Sequence, residues 1–241
     1  MTSRFVPARI GLGWSIILFA VPGITLWLAT AYLLPGLVAR GWDPLAAWFV
    51  AGGSLFSLLL LAALASAWWA SMRAPSSIAD QLRLRPMSKH DWGISALGLG
   101  AAFVLTAGLY VLHANLWPQL SLTPPFMSVT ALEPARYYLL GLWVPFFALN
   151  IVGEELWWRG FIQPRQEAVF GEGTWILQGT LHAAFHFSFG WNLLLLLLPV
   201  VFCIPWAVQR TRNTTVGIVV HAGINGPAFL AVNLGLLAPT L

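Results

Sequence analysis

The sequence predicts an all-α polytopic membrane protein: a single domain over residues 1–241, a bundle of about seven or eight transmembrane helices, with the N-terminus cytoplasmic. Three observations carry this prediction. Hydrophobic residues fill 59% of the 241 positions and charged residues only 8%, whereas soluble domains carry about a quarter charged residues. Apolar runs recur at close to the length of about 20 residues needed to cross a hydrocarbon core. Finally, Lys and Arg are distributed unevenly between the two sets of loops that those runs define.

The spans are read in chain order as Ile10–Leu34, Pro44–Ala70, Gly93–Leu116, Tyr137–Gly160, Gly173–Phe189, Leu193–Val208 and Val216–Leu237. They must be helices, because lipid leaves an open backbone unsatisfied and no alternating pattern suggests a barrel. The fifth and sixth are short and separated only by Gly190-Trp191-Asn192, which implies a tight helical hairpin. The basic N-terminus leads into an apolar stretch too long for a signal-peptide core. At the C-terminus, Ala-Pro-Thr-Leu carries no prenylatable Cys. The single Cys203 excludes an internal disulfide and reads as a small core residue.

Arg4, Arg9, Arg73, Arg83, Arg85, Lys89, Arg159, Arg165, Arg210 and Arg212 fall on one side of this layout, and Arg40 and Arg136 on the other. The positive-inside rule makes the first side cytoplasmic, which explains the net charge of +4 without nucleic acid. Trp42, Trp68, Trp69, Trp92, Trp117, Trp157 and Trp158 sit near span ends, where an indole suits the headgroup region.

Two carboxylates stand apart from this architecture. Six of the eight acidic residues lie in or beside loops, while Glu154 and Glu155 sit inside the fourth span, about a turn before its end. A buried carboxylate in a membrane needs a partner. Glu155 and Arg159 are spaced i,i+4 with the acid first, the favourable order. Glu154 lies about 100° around the helix, without that partner. The spacing therefore suggests a structural Glu155–Arg159 pair and a Glu154 left for chemistry, although Arg159 shared by both carboxylates is also compatible. His182 and His186 are i,i+4 in the fifth span, and His221 and Asn225 are i,i+4 in the seventh. Buried polar groups of this kind require hydrogen bonds or a metal. Such a set could hold Zn²⁺ with an open position or act without metal, a carboxylate activating water and His or Asn stabilising an oxyanion. His113, near the end of the third span, reads as interfacial.

Glu154-Glu155-Leu-Trp-Trp-Arg159-Gly160, a later intramembrane His and His221-Ala-Gly-Ile-Asn225 together resemble the CPBP intramembrane proteases. These comprise the type II CAAX prenyl endopeptidases and bacterial bacteriocin-processing and self-immunity proteins, whose pattern is EExxxR, FxxxH and HxxxN or HxxxB. The resemblance covers about residues 137–227. It departs from the pattern at His182, which occupies the usual Phe position; His186 is the natural counterpart of the motif His, with His182 either supporting it or sharing its role.

The resemblance implies an endopeptidase acting on membrane-associated protein or peptide substrates, and the orientation of the spans opens such a site toward the cytoplasmic side of a cell membrane. Glu154 would activate water, with His186, His221 and Asn225 completing the catalytic set and Glu155–Arg159 holding the helix. It leaves open both a Zn²⁺ held by Glu154, His186 and His221 and a metal-free route. A non-catalytic immunity or partner-binding protein and a small ion-coupled transporter are the alternative readings of the same residues.

Overall fold

The computed structural model describes residues 8–73, 76–127 and 130–236, which form helices and loops with no strand among them. Arg4 and the C-terminal Ala-Pro-Thr-Leu lie outside the described residues. Six helical segments are long and apolar enough to cross a membrane. The bundle consists of α1 (Leu12–Val38), α2 (Pro44–Ser71), α3 (Lys89–Leu116), α4 (Tyr138–Glu155), α5 (Gln163–Phe170), α6 (Thr174–Phe185), α7 (Trp191–Thr211) and α8 (Thr214–Asn233).

The difference from seven or eight separate spans arises between Tyr138 and Phe185, a largely helical run of 48 residues. The fourth span does not end near Gly160. It continues through a π-helical stretch, Leu156–Ile162, into α5. Pro164 offers no N–H to the Gly160 carbonyl, which relaxes the α-helical ladder just ahead of it. The chain turns at Gly171, whose φ of 59° favours Gly. α6 then runs for only 12 residues, about 18 Å at 1.5 Å per residue, against a hydrocarbon thickness of about 30 Å.

Local chemistry fixes the ends of several helices. Asp43 caps α2 by accepting from the Leu45 and Ala46 amides, and Ser88 with Asp91 forms a capping box at the start of α3. Between α2 and α3, the segment around Leu82 folds under the bundle. Leu82 is fully buried, its carbonyl accepts from Thr214 Oγ1 at 2.7 Å, and the Arg83 carbonyl accepts from the Thr214 amide at 3.0 Å.

Glycines set the close approaches around the two glutamates. A methyl group on Gly153 would strike the Phe56 carbonyl, so this position lets α4 lie directly against α2. On α8, Gly217 leaves the space that the Glu155 carboxylate occupies. α1 packs on the other flank, where Phe19 stacks on Trp158 with ring centroids 4.1 Å apart.

Several sequence expectations are revised by burial. Trp42, Trp68, Trp69, Trp92 and Trp117 are exposed, whereas Trp157 and Trp158 are core residues. The π-helical stretch turns both indoles inward, along with Arg159. Arg159 and Arg165 are not loop residues, since both are buried within helices. His113, in the last turn of α3, is buried against protein.

Candidate active site

α4, α6 and α8 bring the polar residues together at a common depth. At 1.5 Å per residue, Glu154 lies about 24 Å along α4 from Tyr138, His182 about 12 Å from the start of α6 and His221 about 10 Å from the start of α8. All of Glu154, Glu155, Arg159, His182 and His221 are at most 5% exposed.

Hydrogen bonds and one ion pair among these residues close into a ring. Glu154 Oε1 accepts from Asn150 Nδ2 at 2.9 Å, and Glu154 Oε2 lies 2.8 Å from His182 Nε2. His182 Nδ1 lies 2.8 Å from an Arg159 Nη2, and Arg159 Nη1 is 3.2 Å from Glu155 Oε1. The same carboxylate oxygen is 2.9 Å from His221 Nδ1, and His221 Nε2 is 3.0 Å from Asn225 Nδ2. A 3.5 Å contact from Asn225 Nδ2 to Asn150 Oδ1 completes the circuit.

Donor chemistry then assigns the protons. Arg can only donate, so His182 Nδ1 is an acceptor and its proton sits on Nε2, directed at Glu154. The Asn225 amide nitrogen likewise only donates, so His221 accepts at Nε2 and donates from Nδ1 to Glu155. His186 differs from both. Its Nδ1 is 3.0 Å from the His182 carbonyl, to which it must donate, and this leaves the Nε2 lone pair uncommitted among the described contacts.

Glu154 is thus not left without a partner: it holds one N–H on each oxygen. Glu155 is bound by Arg159 and His221 together. Asn150 was not singled out from the sequence, although it stands i,i+4 to Glu154 in an apolar run, the same relation that drew attention to Glu155 and Arg159.

This arrangement lies inside a region of the chain that resembles a described family. Residues 136–226 match the type II CAAX prenyl endopeptidase Rce1-like family model. No curated protein and no solved structure matches the chain. The Rce1-like match covers less than half of the sequence and contains Asn150, Glu154, Glu155, Arg159, His182, His186, His221 and Asn225. It leaves α1, α2 and α3 outside.

Within the Rce1-like region, Glu154, His182 and His186 each place one possible ligand atom within 4.8 Å of the others. This trio contains His182 where the sequence reading had His221, which lies on the Glu155 side with both ring nitrogens engaged. The spacing of the trio suits a metal ion, and the His186 Nε2 lone pair suits one as well. His182 does not. The Arg159 guanidinium holds Nδ1 as an acceptor, so Nε2 carries a proton and has no lone pair to offer. As hydrogen-bonded, the set provides two ligands for Zn²⁺, short of the three protein ligands of a catalytic site.

Proposed function

We propose that the protein is an intramembrane endopeptidase that hydrolyses peptide bonds of membrane-associated proteins or peptides. The observation that carries this reading is Glu154, a buried carboxylate held by two N–H donors and grouped with a ring nitrogen of His186 within 4.8 Å, within the Rce1-like region.

A carboxylate has about four lone-pair positions, so Glu154 can accept from water while keeping Asn150 and His182. His186 Nε2 accepts the second hydrogen of that water and orients it. As the water oxygen attacks the substrate carbonyl carbon, its proton passes to Glu154 and a tetrahedral oxyanion forms. Asn225 is suited to stabilise that oxyanion, because its 3.5 Å contact to Asn150 is easily exchanged for a better acceptor. Collapse of the intermediate breaks the C–N bond, and Glu154 returns the proton to the leaving nitrogen.

We place the protein in a cell membrane as a multi-pass protein, with the site in the cytoplasmic half. His182 and His221 lie about 10–12 Å from the helix starts at the basic end of the bundle, which the positive-inside rule assigns to the cytoplasm. The Rce1-like match makes a peptide ending in a prenylated CaaX sequence the first substrate to try. Purified protein in lipid nanodiscs is expected to cleave a quenched fluorescent farnesylated CaaX peptide, or its unprenylated counterpart, equally well with and without a chelator. Absence of cleavage in a panel of such membrane-bound peptides counts against the proposal, and loss of activity on chelation restorable by Zn²⁺ against the metal-free route.

A further inference from the structure

Glu154 is the only carboxylate among the described residues whose two oxygens are held by neutral side-chain N–H donors from two different helices, Asn150 on α4 and His182 on α6. These donors come from different helices and act on separate oxygens, so together they restrict the rotation of the carboxyl group. Neither donor is itself free to wander. Asn150 has its other amide atom, Oδ1, facing Asn225 on α8, and His182 is backed by Arg159, which is fully buried and anchored to Glu155.

We propose that Asn150 and His182 form a two-point clamp that sets the orientation of Glu154, making both of them positioning residues. The inference rests on the hydrolytic role given to Glu154 above. A general base must be held within hydrogen-bond reach of its water, and a displacement of 1 Å can cost about 100-fold in rate. The clamp also gives a reason for His182 where the family motif usually has Phe. An aromatic ring there packs against Trp158 and Phe185, with ring centroids 5.8 and 5.7 Å away, and Phe would preserve that packing. Only an imidazole, or a group with an N–H in the same place, also passes the support of Arg159 to Glu154. The ring as a whole ties α4, α6 and α8 together, so the carboxylate is referenced to three helices rather than one.

The test separates clamping from packing by the order of two substitutions. Asn150→Leu, which keeps the size but loses the N–H, and His182→Phe are each expected to lower kcat about 10- to 100-fold with KM changed less than twofold. His182→Gln, which packs less well but can place an N–H near the former Nε2, is expected to recover a substantial part of the activity. A protein in which His182→Phe is as active as the parent, or more active than His182→Gln, overturns the clamp. So does an Asn150→Leu effect that falls on KM alone.

A thermal measurement keeps the clamp testable should the parent cleave no peptide, an outcome that would remove the hydrolytic reading first. Asn150→Leu is expected to lower the Tm by a few degrees in the parent and by clearly less in a Glu154→Gln background, because the carboxylate it serves is then gone. Equal shifts in the two backgrounds show that Asn150 does not act through Glu154.

Discussion

Arg159 carries more of the site than any other single side chain. Its guanidinium is fully buried, faces Glu155 Oε1 at 3.2 Å and holds His182 Nδ1 at 2.8 Å. Removing one member of a buried pair leaves the other charge uncompensated, at a cost of about 3–5 kcal/mol. Arg159→Ala is therefore expected to reduce the yield of folded protein and its Tm sharply. An Arg159→Ala protein that melts like the parent contradicts the structural role given to the Glu155–Arg159 pair. The i,i+4 spacing of these two residues was legible in the sequence, as was the oddity of two carboxylates in an apolar span. The partner of Glu155 on α8, His221, was not. Contacts between helices depend on how the helices are rotated and how deep they sit, and neither quantity is written in local spacing. Asn150 was legible in principle but easily passed over, since a neutral amide in an apolar run attracts less notice than a charge.

At the scale of the elements, the approach of α8 to α4 depends on a missing side chain. Gly217 faces the Glu155 carboxylate and the Val208 side chain, and a methyl group there would overlap both. Overpacking of this kind costs about 1–3 kcal/mol, so Gly217→Ala is expected to lower the Tm and to loosen the His221–Glu155 contact. Denaturation in detergent, compared with Gly223→Ala on the same helix, measures this. Similar losses at both positions would mean that the carboxylate cradle has no special role. Hydropathy located the apolar stretches but could not foresee the run from α4 through the π-helical stretch to α5, which hydrogen bonding and Pro164 determine. It also could not foresee that α6 is too short to span alone. The inward turn of Trp157 and Trp158 has the same origin, because interfacial placement was inferred from a helix end that the π-helical stretch moves.

Across the whole molecule, charge is concentrated at the ends. Arg83 pairs with Glu167 at 2.7 Å and Arg85 bonds the Thr211 carbonyl at one end, while Arg136 pairs with Asp43 at 2.8 Å at the other. If the basic end is cytoplasmic, Ser77→Cys in a Cys203→Ser background is expected to resist an impermeant maleimide in intact cells, while Thr123→Cys reacts. The reverse labelling pattern would invert the proposed orientation. Asp43 also gives the fold a defined response to acid. Burial acts to raise its carboxyl, but hydrogen bonds from Arg136 and from the Leu45 and Ala46 amides, together with the Arg136 charge, leave it below the ordinary carboxylate value. A carboxyl depressed in the folded state contributes stability above its unfolded pKa, and that contribution disappears as pH falls through the folded value. The parent is therefore expected to lose a small increment of Tm on acidification below about pH 4 that Asp43→Asn lacks. Identical acid dependence in both proteins would show that the pair adds nothing.

The proposed chemistry centres on Glu154, whose task is to take a proton from water. The most direct measurement is cleavage by Glu154→Gln, which keeps the size and shape of the side chain but removes the base. With a peptide that the parent cleaves, and with the variant shown by its Tm to be folded, kcat is expected to fall about 10²- to 10⁴-fold with little change in KM. A folded Glu154→Gln protein that cleaves the same bond at the parent's rate would contradict it.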